Sequence, residues 1–438
     1  MPSKSQQYTE AYVWIWLPGE VKPVVAGKLT QEGKSLVFNY GQSYLDRSNK
    51  ISIYEPELPL KRGALPLRGN LTAPGCIRDG SPDAWGRRVI INKKYGVIGS
   101  AIDQYQLDEL TFLLESGSDR IGALDFQLSP TDYQPRLTQN ADLKELIESA
   151  ERVEKGIPLT QALDQALFHG SPIGGARPKA LIEDSKENKK YIAKFSSTTD
   201  LYSVIKAEFI AMRMAKLAGL DVASVSLKKS SKKDVLLVER FDRIHSSQGW
   251  QRKNMVSALT IFEFDEMEAR YASYEILAEG IRHKFYDASK TLHELFKRLV
   301  VNILVGNNDD HARNHAAFWD GKMLKLTPAY DICPQPRTGG VASQAMLIHG
   351  GKNASQLREC IAASPQFQLS RQGAISIIEE VASIIIDNWR AICEESELSP
   401  VDKNLFSANQ IFNPFGFENL DDDSCHLEKL VQKFRGLN

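Results

Sequence analysis

A buried helix that runs directly into a polar loop is the sequence feature that most constrains this chain. Apolar residues recur at helical spacing in front of the loop and predict a buried helix over residues 290–305. They are Leu292, Leu295, Phe296, Leu299, Ile303 and Leu304. At Gly306 the apolar pattern stops, and nine residues follow that are almost all polar. A loop at the end of a buried helix is rigidly anchored and can hold reacting groups in place.

The loop contains Asp309 and Asn314, separated by four residues, and another carboxylate, Asp331, follows a predicted hairpin over residues 316–326. In the catalytic loop of protein kinases the same spacing joins an Asp that accepts the substrate's hydroxyl proton to an Asn that binds magnesium, and a further Asp downstream also binds magnesium. Amide and carboxylate oxygens are suitable ligands for Mg²⁺. An isolated pair with this spacing is more often a helix cap in a polar turn, so other parts of the chain must agree.

Amino-acid composition narrows the class of protein. The chain has 438 residues, 42% of them hydrophobic and 25% charged, which is typical of a soluble protein with two or three domains. Its net charge of -1 gives no general attraction to nucleic acid or membranes. No apolar run approaches the roughly 18 residues of a membrane helix, and the start of the chain lacks a signal peptide's apolar core. Five scattered cysteines without a Cys-x-x-Cys pair argue against disulfides and zinc and indicate a cytoplasmic protein.

The pattern of elements predicts an α+β protein in three parts. Proline and polar residues between Ser129 and Asn140 mark the main boundary. The predicted domains are residues 1–135 (a β-rich and helical subdomain of the N lobe), 136–255 (the nucleotide-binding part of the N lobe) and 256–438 (the helical, catalytic C lobe).

Short β-rich runs in the first part predict a small antiparallel sheet. Its strands are expected at residues 12–17, 24–29, 35–40 and 51–54. Helices are expected at residues 82–94, 107–114 and, in two pieces, 141–168.

A glycine-rich segment, residues 170–179, precedes predicted strands at residues 180–183 and 191–195. Glycines allow backbone N–H groups to approach a polyphosphate closely. The Walker pattern of Gly-Lys-Ser/Thr followed by a helix is missing, and a flexible linker would have a similar composition. The position between a helix and a hairpin makes phosphate binding as good an interpretation as a linker. The candidate residues are Gly174, Gly175, Ala176, Arg177 and Lys179.

Lys194 lies in the middle of the predicted strand 191–195, and Glu208 lies on a largely apolar face of a helix predicted at residues 202–218. A lysine in an alternating strand is commonly an exposed surface residue. A carboxylate on an apolar face, however, needs a partner, and Lys194 is a candidate. Kinases use such a pair of strand lysine and helix glutamate to position the ATP phosphates. Alternatively, Glu208 reaches the helix surface and the two side chains do not meet.

A second predicted hairpin, residues 222–238, carries four lysines at its tip, which is usually a solvated turn. The hairpin runs into residues 239–243, where the hinge between the lobes of a kinase would lie. Helices are expected after residue 255, at residues 273–284, 290–305, 354–361 and 371–394. The glycine-rich loop, strand lysine, helix glutamate, hinge, Asp-x4-Asn loop and final Asp therefore occur in kinase order. This order predicts a two-lobed, protein-kinase-like fold.

The chain closely resembles one family, the HipA-type serine/threonine kinase toxins of bacterial type II toxin–antitoxin systems. The motifs that carry the resemblance are Gly174-Gly175-Ala176-Arg177-Pro178-Lys179, Val238-Glu239-Arg240-Phe241-Asp242-Arg243, Asp309-Asp310-His311-Ala312-Arg313-Asn314 and Leu326-Thr327-Pro328-Ala329-Tyr330-Asp331. The first sheet, with the helix start Gly80-Ser81-Pro82-Asp83-Ala84-Trp85-Gly86-Arg87-Arg88, looks like the family's amino-terminal subdomain. The likeness spans about residues 10–395, and Asp-x-His-Ala-Arg-Asn is its most specific element.

The resemblance implies a fold with a small β-rich N-terminal subdomain and a mostly helical C-terminal lobe. It implies ATP and Mg²⁺ as cofactors, Asp309 as the catalytic base, and Asn314 and Asp331 as metal ligands. The implied nucleotide contacts are the five glycine-loop residues named above, Lys194 with Glu208, the backbone of Glu239, Arg240 and Phe241, and His311 and Arg313.

The resemblance also implies partners. One is a small helix-turn-helix antitoxin dimer, HipB-like, which represses its operon with the toxin bound and so connects the toxin to operator DNA. The other is a protein substrate, a translation component such as a glutamyl-tRNA synthetase, whose phosphorylation arrests growth.

One departure from the family concerns its switch. Family members can carry a serine seven residues before the loop lysine, and autophosphorylation of that serine turns the enzyme off. Here Pro172 takes that position and Ser171, one residue earlier, is the candidate acceptor.

Two other functions stay open on the sequence. They are a catalytically decayed co-repressor in an antitoxin–DNA complex, and a small-molecule kinase of related fold. The complete set of Lys194, Asp309, Asn314 and Asp331 argues against decay.

Overall fold

The computed structural model describes most of the chain as an α+β protein. The described residues are 8–95, 107–136, 143–155, 157, 177–197, 199–231, 233–337 and 339–437. In these ranges, every helix is too short or too polar to span a membrane.

The first sheet contains four antiparallel strands in the order β3-β2-β1-β4. They are β1 (Glu10–Ile15), β2 (Val24–Glu32), β3 (Ser35–Tyr40) and β4 (Leu124–Gln127). Short helices follow or flank this sheet: α1 (Gln42–Leu45), α2 (Gly75–Arg78), α3 (Ala84–Tyr95) and α4 (Glu109–Glu115). The first three strands and the last two helices lie close to the predicted positions.

The strand expected at residues 51–54 was wrong, because these residues satisfy their backbone groups with side chains instead of a ladder. The Ile53 N–H donates to the Tyr40 hydroxyl at 2.9 Å, and the Ile53 carbonyl accepts from Asn254 at 2.7 Å. The Ser52 carbonyl accepts from the Trp319 indole at 2.9 Å. The fourth strand of the sheet is instead β4, far along the chain, which the sequence analysis missed.

The second sheet is also antiparallel, with strand order β5-β6-β8-β7. Its strands are β5 (Lys179–Asp184), β6 (Lys189–Phe195), β7 (Val225–Ser230) and β8 (Lys233–Glu239). Helix α5 (Leu143–Glu154) and helix α6 (Val204–Leu217) accompany it. The second helical piece that we predicted before residue 168 lies outside the described residues.

Beyond the second sheet the chain forms a small strand region and then a mostly helical lobe. The strands are β9 (Arg243–Ser246), β10 (Gly249–Arg252), β11 (Met255–Ser257), β12 (Ala316–Trp319) and β13 (Leu324–Leu326). The helices are α7 (Ala258–Ile261), α8 (Tyr274–Lys284), α9 (Ala288–Val305), α10 (Leu357–Ala363), α11 (Arg371–Glu395), α12 (Pro400–Leu405) and α13 (Glu428–Arg435). Strands β12 and β13 are the predicted hairpin, and β11 pairs with β12 as an additional strand.

The interior of the first sheet is continuous with the interior of the helical lobe. Buried side chains from both, such as Phe38 and Leu299, belong to one hydrophobic core. Gly75 of the N-terminal part lies against Thr260 of the helical lobe. A Cβ added to Gly75 would lie 2.7 Å from the Thr260 hydroxyl, so only glycine permits this close approach. The division into three domains stays a prediction.

Helix α9 ends at Gly306, which fixes the start of the polar loop. Gly306 has φ 75°, a left-handed conformation that costs other residues energy. A Cβ at this position would lie 2.4 Å from the carbonyl oxygen of Gln410. The Phe412 N–H also donates to the Leu304 carbonyl at 2.8 Å. The residue 406–412 segment therefore packs directly against the end of the helix.

We predict that Gly306→Ala destabilises the protein more than Gly219→Ala does. Both glycines have positive φ, but a Cβ at Gly219 meets nothing within 4 Å. Gly219→Ala should cost about 1–2 kcal/mol from backbone strain alone. Gly306→Ala should cost at least roughly twice that, because the Gln410 backbone must also move. Urea unfolding of both variants measures the difference, and equal losses would contradict the close contact.

Candidate active site

A cleft between the second sheet and the helical lobe is lined by eight of the twelve predicted site residues that the structure describes. The predicted residues that line it are Lys179, Lys194, Glu239, Phe241, His311, Arg313, Asn314 and Asp331. Residues of the N-terminal subdomain, including Asp79, Asp83 and Gly122, form part of the wall. The predicted residues therefore converge, although they come from distant parts of the chain.

Lys194 is held between two carboxylates. Its Nζ atom lies 2.5 Å from Glu208 Oε1 and also donates to Asp331 Oδ1. Strand β6 carries Lys194 and helix α6 carries Glu208, so the predicted strand-to-helix pair is formed. Burial opposes the charged form, but the charges of Asp331 and Glu208 outweigh it and raise the pKa of Lys194. The ammonium is therefore fully charged at neutral pH.

Asp331 faces Lys194 from a strained backbone. Its φ is 59°, a left-handed conformation that few residues other than glycine adopt. The preceding turn is fixed at Ala329, whose N–H donates to the Asp221 carbonyl at 2.7 Å. The charge of Lys194 holds the pKa of Asp331 well below its usual range. Asp331 is thus a permanent carboxylate, with 42% of its side chain exposed.

The two neighbouring aspartates of the loop have opposite environments. Asp309 is exposed, and its carboxylate makes no hydrogen bond within the described part of the chain. Burial of part of the group, and then the charges of Asp331 and Asp310, raise its pKa, although His311 acts in the other direction. A free carboxylate with a raised pKa is suited to accept a proton.

Asp310 is buried and anchors the loop, a role that the sequence analysis missed. It accepts hydrogen bonds from the Tyr274 hydroxyl and, at 3.0 Å, from His315 Nε2. Burial would raise the pKa of Asp310, but His315 and Tyr274 outweigh burial and lower it. Two features of the sequence could have identified Asp310: its position in the motif directly after Asp309, and His315 downstream.

Asn314 lies in a short 3-10 turn, Ala312–Asn314, between the loop and β12. Its side-chain nitrogen donates a hydrogen bond to the Asp309 carbonyl at 3.1 Å. This bond does not involve the oxygen of the side-chain amide. An amide oxygen and the permanent carboxylate of Asp331 fit a magnesium ion that also uses phosphate and water ligands. Within the described ranges, no three His, Cys, Asp or Glu side chains converge as a protein-only metal site.

Part of the cleft wall is apolar. Ile192, Val238 and Met255 line it together with Phe241, whose ring lies 5.6 Å from that of Tyr330. The Phe241 N–H has no hydrogen-bond partner among the described residues. Apolar walls with an unpaired backbone donor suit a flat heterocycle such as adenine. Contacts from the residue 239–241 backbone stay a prediction.

The Arg240 side chain lies outside the cleft, in a buried ion network. It donates to Asp242 at 2.7 Å and to Asp119 at 3.1 Å and is fully buried. Arg243 contacts the same two carboxylates at 2.8 Å. Burial would raise the pKa of Asp242, but the two arginines lower it to about 2. Only the backbone of Arg240 remains a candidate nucleotide contact.

Three other predicted residues that the structure describes, Asp309, Glu208 and Arg177, are absent from the lining of the cleft. Arg177 does not line the cleft and pairs with Asp200 at 2.7 Å. The remaining glycine-loop candidates Gly174, Gly175 and Ala176, and the candidate phosphoacceptor Ser171, lie outside the described residues.

Two protein-family models match this chain. One, described as the HipA-like C-terminal domain, matches residues 171–389, which is half of the chain. The other, described as the HipA N-terminal domain, matches residues 15–127. Together they cover both parts of the cleft wall.

Two individual proteins are similar to this chain over part of its length. Y4mE of Sinorhizobium fredii is 25% identical over 358 residues, 73% of this chain and 76% of that protein. The serine/threonine-protein kinase toxin HipA of Shewanella oneidensis is 26% identical over 194 residues, 38% of this chain and 44% of the toxin.

A solved structure has a similar fold over nearly the whole chain. It is HipA of Shewanella oneidensis in complex with HipB and its operator DNA. The likeness has a TM-score of 0.59 and 17% sequence identity and covers 97% of both chains. At this identity the likeness shows the fold alone.

Because of Lys179, we predict that nucleotide binding depends on pH. Burial, and then the neighbouring Lys194 ammonium, lower the pKa of Lys179 to about 8. A bound polyphosphate favours the charged ammonium, so binding takes up a proton above that pH. Affinity should therefore be highest below pH 8 and fall by up to about tenfold per pH unit above it.

Calorimetric titration with nucleotide between pH 7 and 9.5 measures this effect. Lys179→Met should bind more weakly at pH 7 and show a flatter profile. Lys189→Met is the matched control, because Lys189 is a neighbouring strand lysine that pairs with Glu239 at 3.0 Å and does not line the cleft. An unchanged pH profile in Lys179→Met would exclude a phosphate contact by Lys179.

Proposed function

This chain belongs to the HipA family, and on that premise we propose that it is an ATP- and magnesium-dependent serine/threonine protein kinase. The family matches confirm the resemblance predicted from the motifs, and the solved HipA structure confirms the predicted kinase-like α+β fold. We propose further that the protein acts as the toxin of a toxin–antitoxin pair. The observation that carries the proposal is the Lys194 ammonium, held in the cleft between Glu208 and Asp331.

Lys194 and Lys179 supply positive charge where a polyphosphate would lie. Glu208 is buried behind Lys194 and fixes the direction of its ammonium. Lys179 is opposite Lys194 on the adjacent strand β5. Two converging lysines bind and orient phosphate groups and offset their charge during transfer.

Asp309 is the proposed general base. It accepts the proton of the acceptor hydroxyl while the hydroxyl oxygen bonds to the γ-phosphorus and the bond to the ADP oxygen breaks. Its exposure leaves room for a serine or threonine side chain of another protein. Asp310, buried beneath it, keeps the loop in place during this step.

Asn314 and Asp331 are the proposed magnesium ligands. Their amide and carboxylate oxygens match the hard donors that magnesium prefers. When bound, the ion neutralises charge on the transferring phosphate. Asp331 also contacts Lys194, so the lysine and metal sites share one carboxylate.

The proposed partners follow from the family. The solved HipA structure contains HipB and operator DNA, which supports an antitoxin of the HipB type and operator binding through that complex for this chain. The proposed protein substrate is a translation component resembling glutamyl-tRNA synthetase. The presence of Lys194, Asp309, Asn314 and Asp331 in one chain argues against a decayed co-repressor.

Asp309→Asn should keep ATP binding and lose phosphoryl transfer. The substitution preserves the size of the side chain but removes its basicity, and loss of a general base typically lowers the rate about 10²–10⁴-fold. Single-turnover phosphorylation with radiolabelled ATP measures the rate, and growth after induction reports toxicity. Asp132→Asn is the control, because Asp132 is exposed and does not line the cleft. Near wild-type transfer by Asp309→Asn would remove Asp309 from this role.

Asp331→Ala should weaken magnesium-dependent nucleotide binding more than Asn314→Ala, because it removes the charged ligand. For each variant, ATP affinity is measured with and without magnesium, and the change on adding magnesium is compared between the two variants. This internal comparison separates the loss of a metal ligand from the altered charge around Lys194. If both variants respond to magnesium as the wild type does, the ligand assignment is wrong.

A further inference from the structure

We propose that Asp79 of the N-terminal subdomain is a positioning residue for the catalytic loop and acts through Arg313 and Ser257. The inference rests on the proposed kinase function. It makes the N-terminal subdomain part of the active site, because a residue of that subdomain would determine the geometry of the loop.

The Asp79 carboxylate contacts both partners directly. Its Oδ2 accepts from the Ser257 N–H at 2.7 Å, and its Oδ1 accepts from the Ser257 hydroxyl at 2.8 Å. Oδ1 also lies 3.5 Å from Arg313 Nη1. Only 10% of the Asp79 side chain is exposed, so water screens these interactions weakly.

One partner lies within the turn that carries Asn314, and the other lies on the strand paired with the residues after that turn. Arg313 directly precedes Asn314. Ser257 is the last residue of β11 and pairs with Ala316, the first residue of β12 after the turn. The next residue along, Ala258, donates its N–H to the His315 carbonyl at 2.7 Å. One carboxylate therefore connects the turn itself to the strand that pairs with β12.

The contacts continue from Arg313 to the other proposed metal ligand. The Tyr330 hydroxyl donates to the Arg313 carbonyl at 2.6 Å, and Tyr330 directly precedes Asp331. A displacement of Arg313 would therefore alter the separation of the two proposed ligands. Small displacements of this kind can lower catalytic rates strongly.

Asp79 is itself rigidly placed. It follows the short helix α2, whose first N–H groups, from Gly75 and Cys76, donate to the buried Glu57 carboxylate at 2.9 and 2.8 Å. Gly75 packs too closely against Thr260 for any side chain. The segment that carries Asp79 is thus fixed on both the subdomain side and the lobe side.

Glu266 offers a matched comparison in the same cluster. Like Asp79, it forms an ion pair with Arg313, but 61% of its side chain is exposed. It makes no contact with Ser257. An exposed pair of this kind contributes little, so Glu266 should matter less to the loop.

Asp79→Asn and Glu266→Gln test the proposal in the full-length protein. Both remove one charge beside Arg313 and keep the shape of the side chain. Asp79→Asn should lower kcat by about 10–100-fold. The ATP affinity measured without magnesium should change less than kcat, because the described ion pairs of Lys194 are with Glu208 and Asp331 and not with Asp79. Glu266→Gln should leave kcat within about threefold.

Hydrogen exchange followed by mass spectrometry supplies a readout that does not need catalysis. In Asp79→Asn, residues 309–316 should exchange faster, while the buried helix α9 exchanges as in the wild type. If Asp79→Asn does not fold, Arg313→Lys, which keeps the charge but shortens the reach to Asp79, should show the same local change to a smaller degree.

The outcomes separate this proposal from the proposed function. A wild-type protein that transfers no phosphate contradicts the kinase function, whereas the exchange comparison still decides whether Asp79 fixes the loop. If residues 309–316 of the Asp79→Asn variant exchange at the wild-type rate, the positioning role is overturned. The same result in Arg313→Lys overturns it where that variant is used instead. A loss of kcat equal to that of Glu266→Gln overturns it as well.

Discussion

The structure depends on one buried ammonium group and the two carboxylates that stabilise it. Burying Lys194 without partners would cost several kcal/mol, so Glu208 and Asp331 must both be present for the strand to keep it there. The three residues come from β6, from α6 and from the turn after β13, so their ion pairs join the second sheet to the helical lobe. A bound polyphosphate would use the same positive charge, which links the stability of the cleft to its proposed ligand.

The neighbouring residues Asp309 and Asp310 have different roles in the loop. Asp310 is buried under Tyr274 and His315 and holds the loop. This support allows Asp309 to stay exposed, with no hydrogen bond to its carboxylate from any residue that the structure describes. A carboxylate that is already hydrogen-bonded makes a poor proton acceptor, because its neighbours stabilise the charged form. The N-terminal subdomain adds a further support at Asp79. The catalytic geometry is therefore distributed over residues that never touch the reacting atoms.

The sequence predicted elements well where the periodicity was long or the turn chemistry was clear. The hairpin of β12 and β13, predicted over residues 316–326, is confirmed by the pairing of the two strands. The pairing of Lys194 with Glu208 was left open and is present. The strand expected at residues 51–54 was wrong, because alternation cannot distinguish a strand from a bent segment whose backbone bonds go to the side chains of Tyr40, Asn254 and Trp319.

The sequence by itself determined the order of the motifs and the family, since these depend on residue types at fixed spacings. It also determined which residues are candidates for chemistry, but not which face the cleft. Only the tertiary structure turned the Arg240 side chain into a buried network with Asp119, and only it placed Asp79 against Arg313. Such contacts join residues more than a hundred positions apart, and no local pattern encodes them, because they depend on how the subdomain and the lobe pack together.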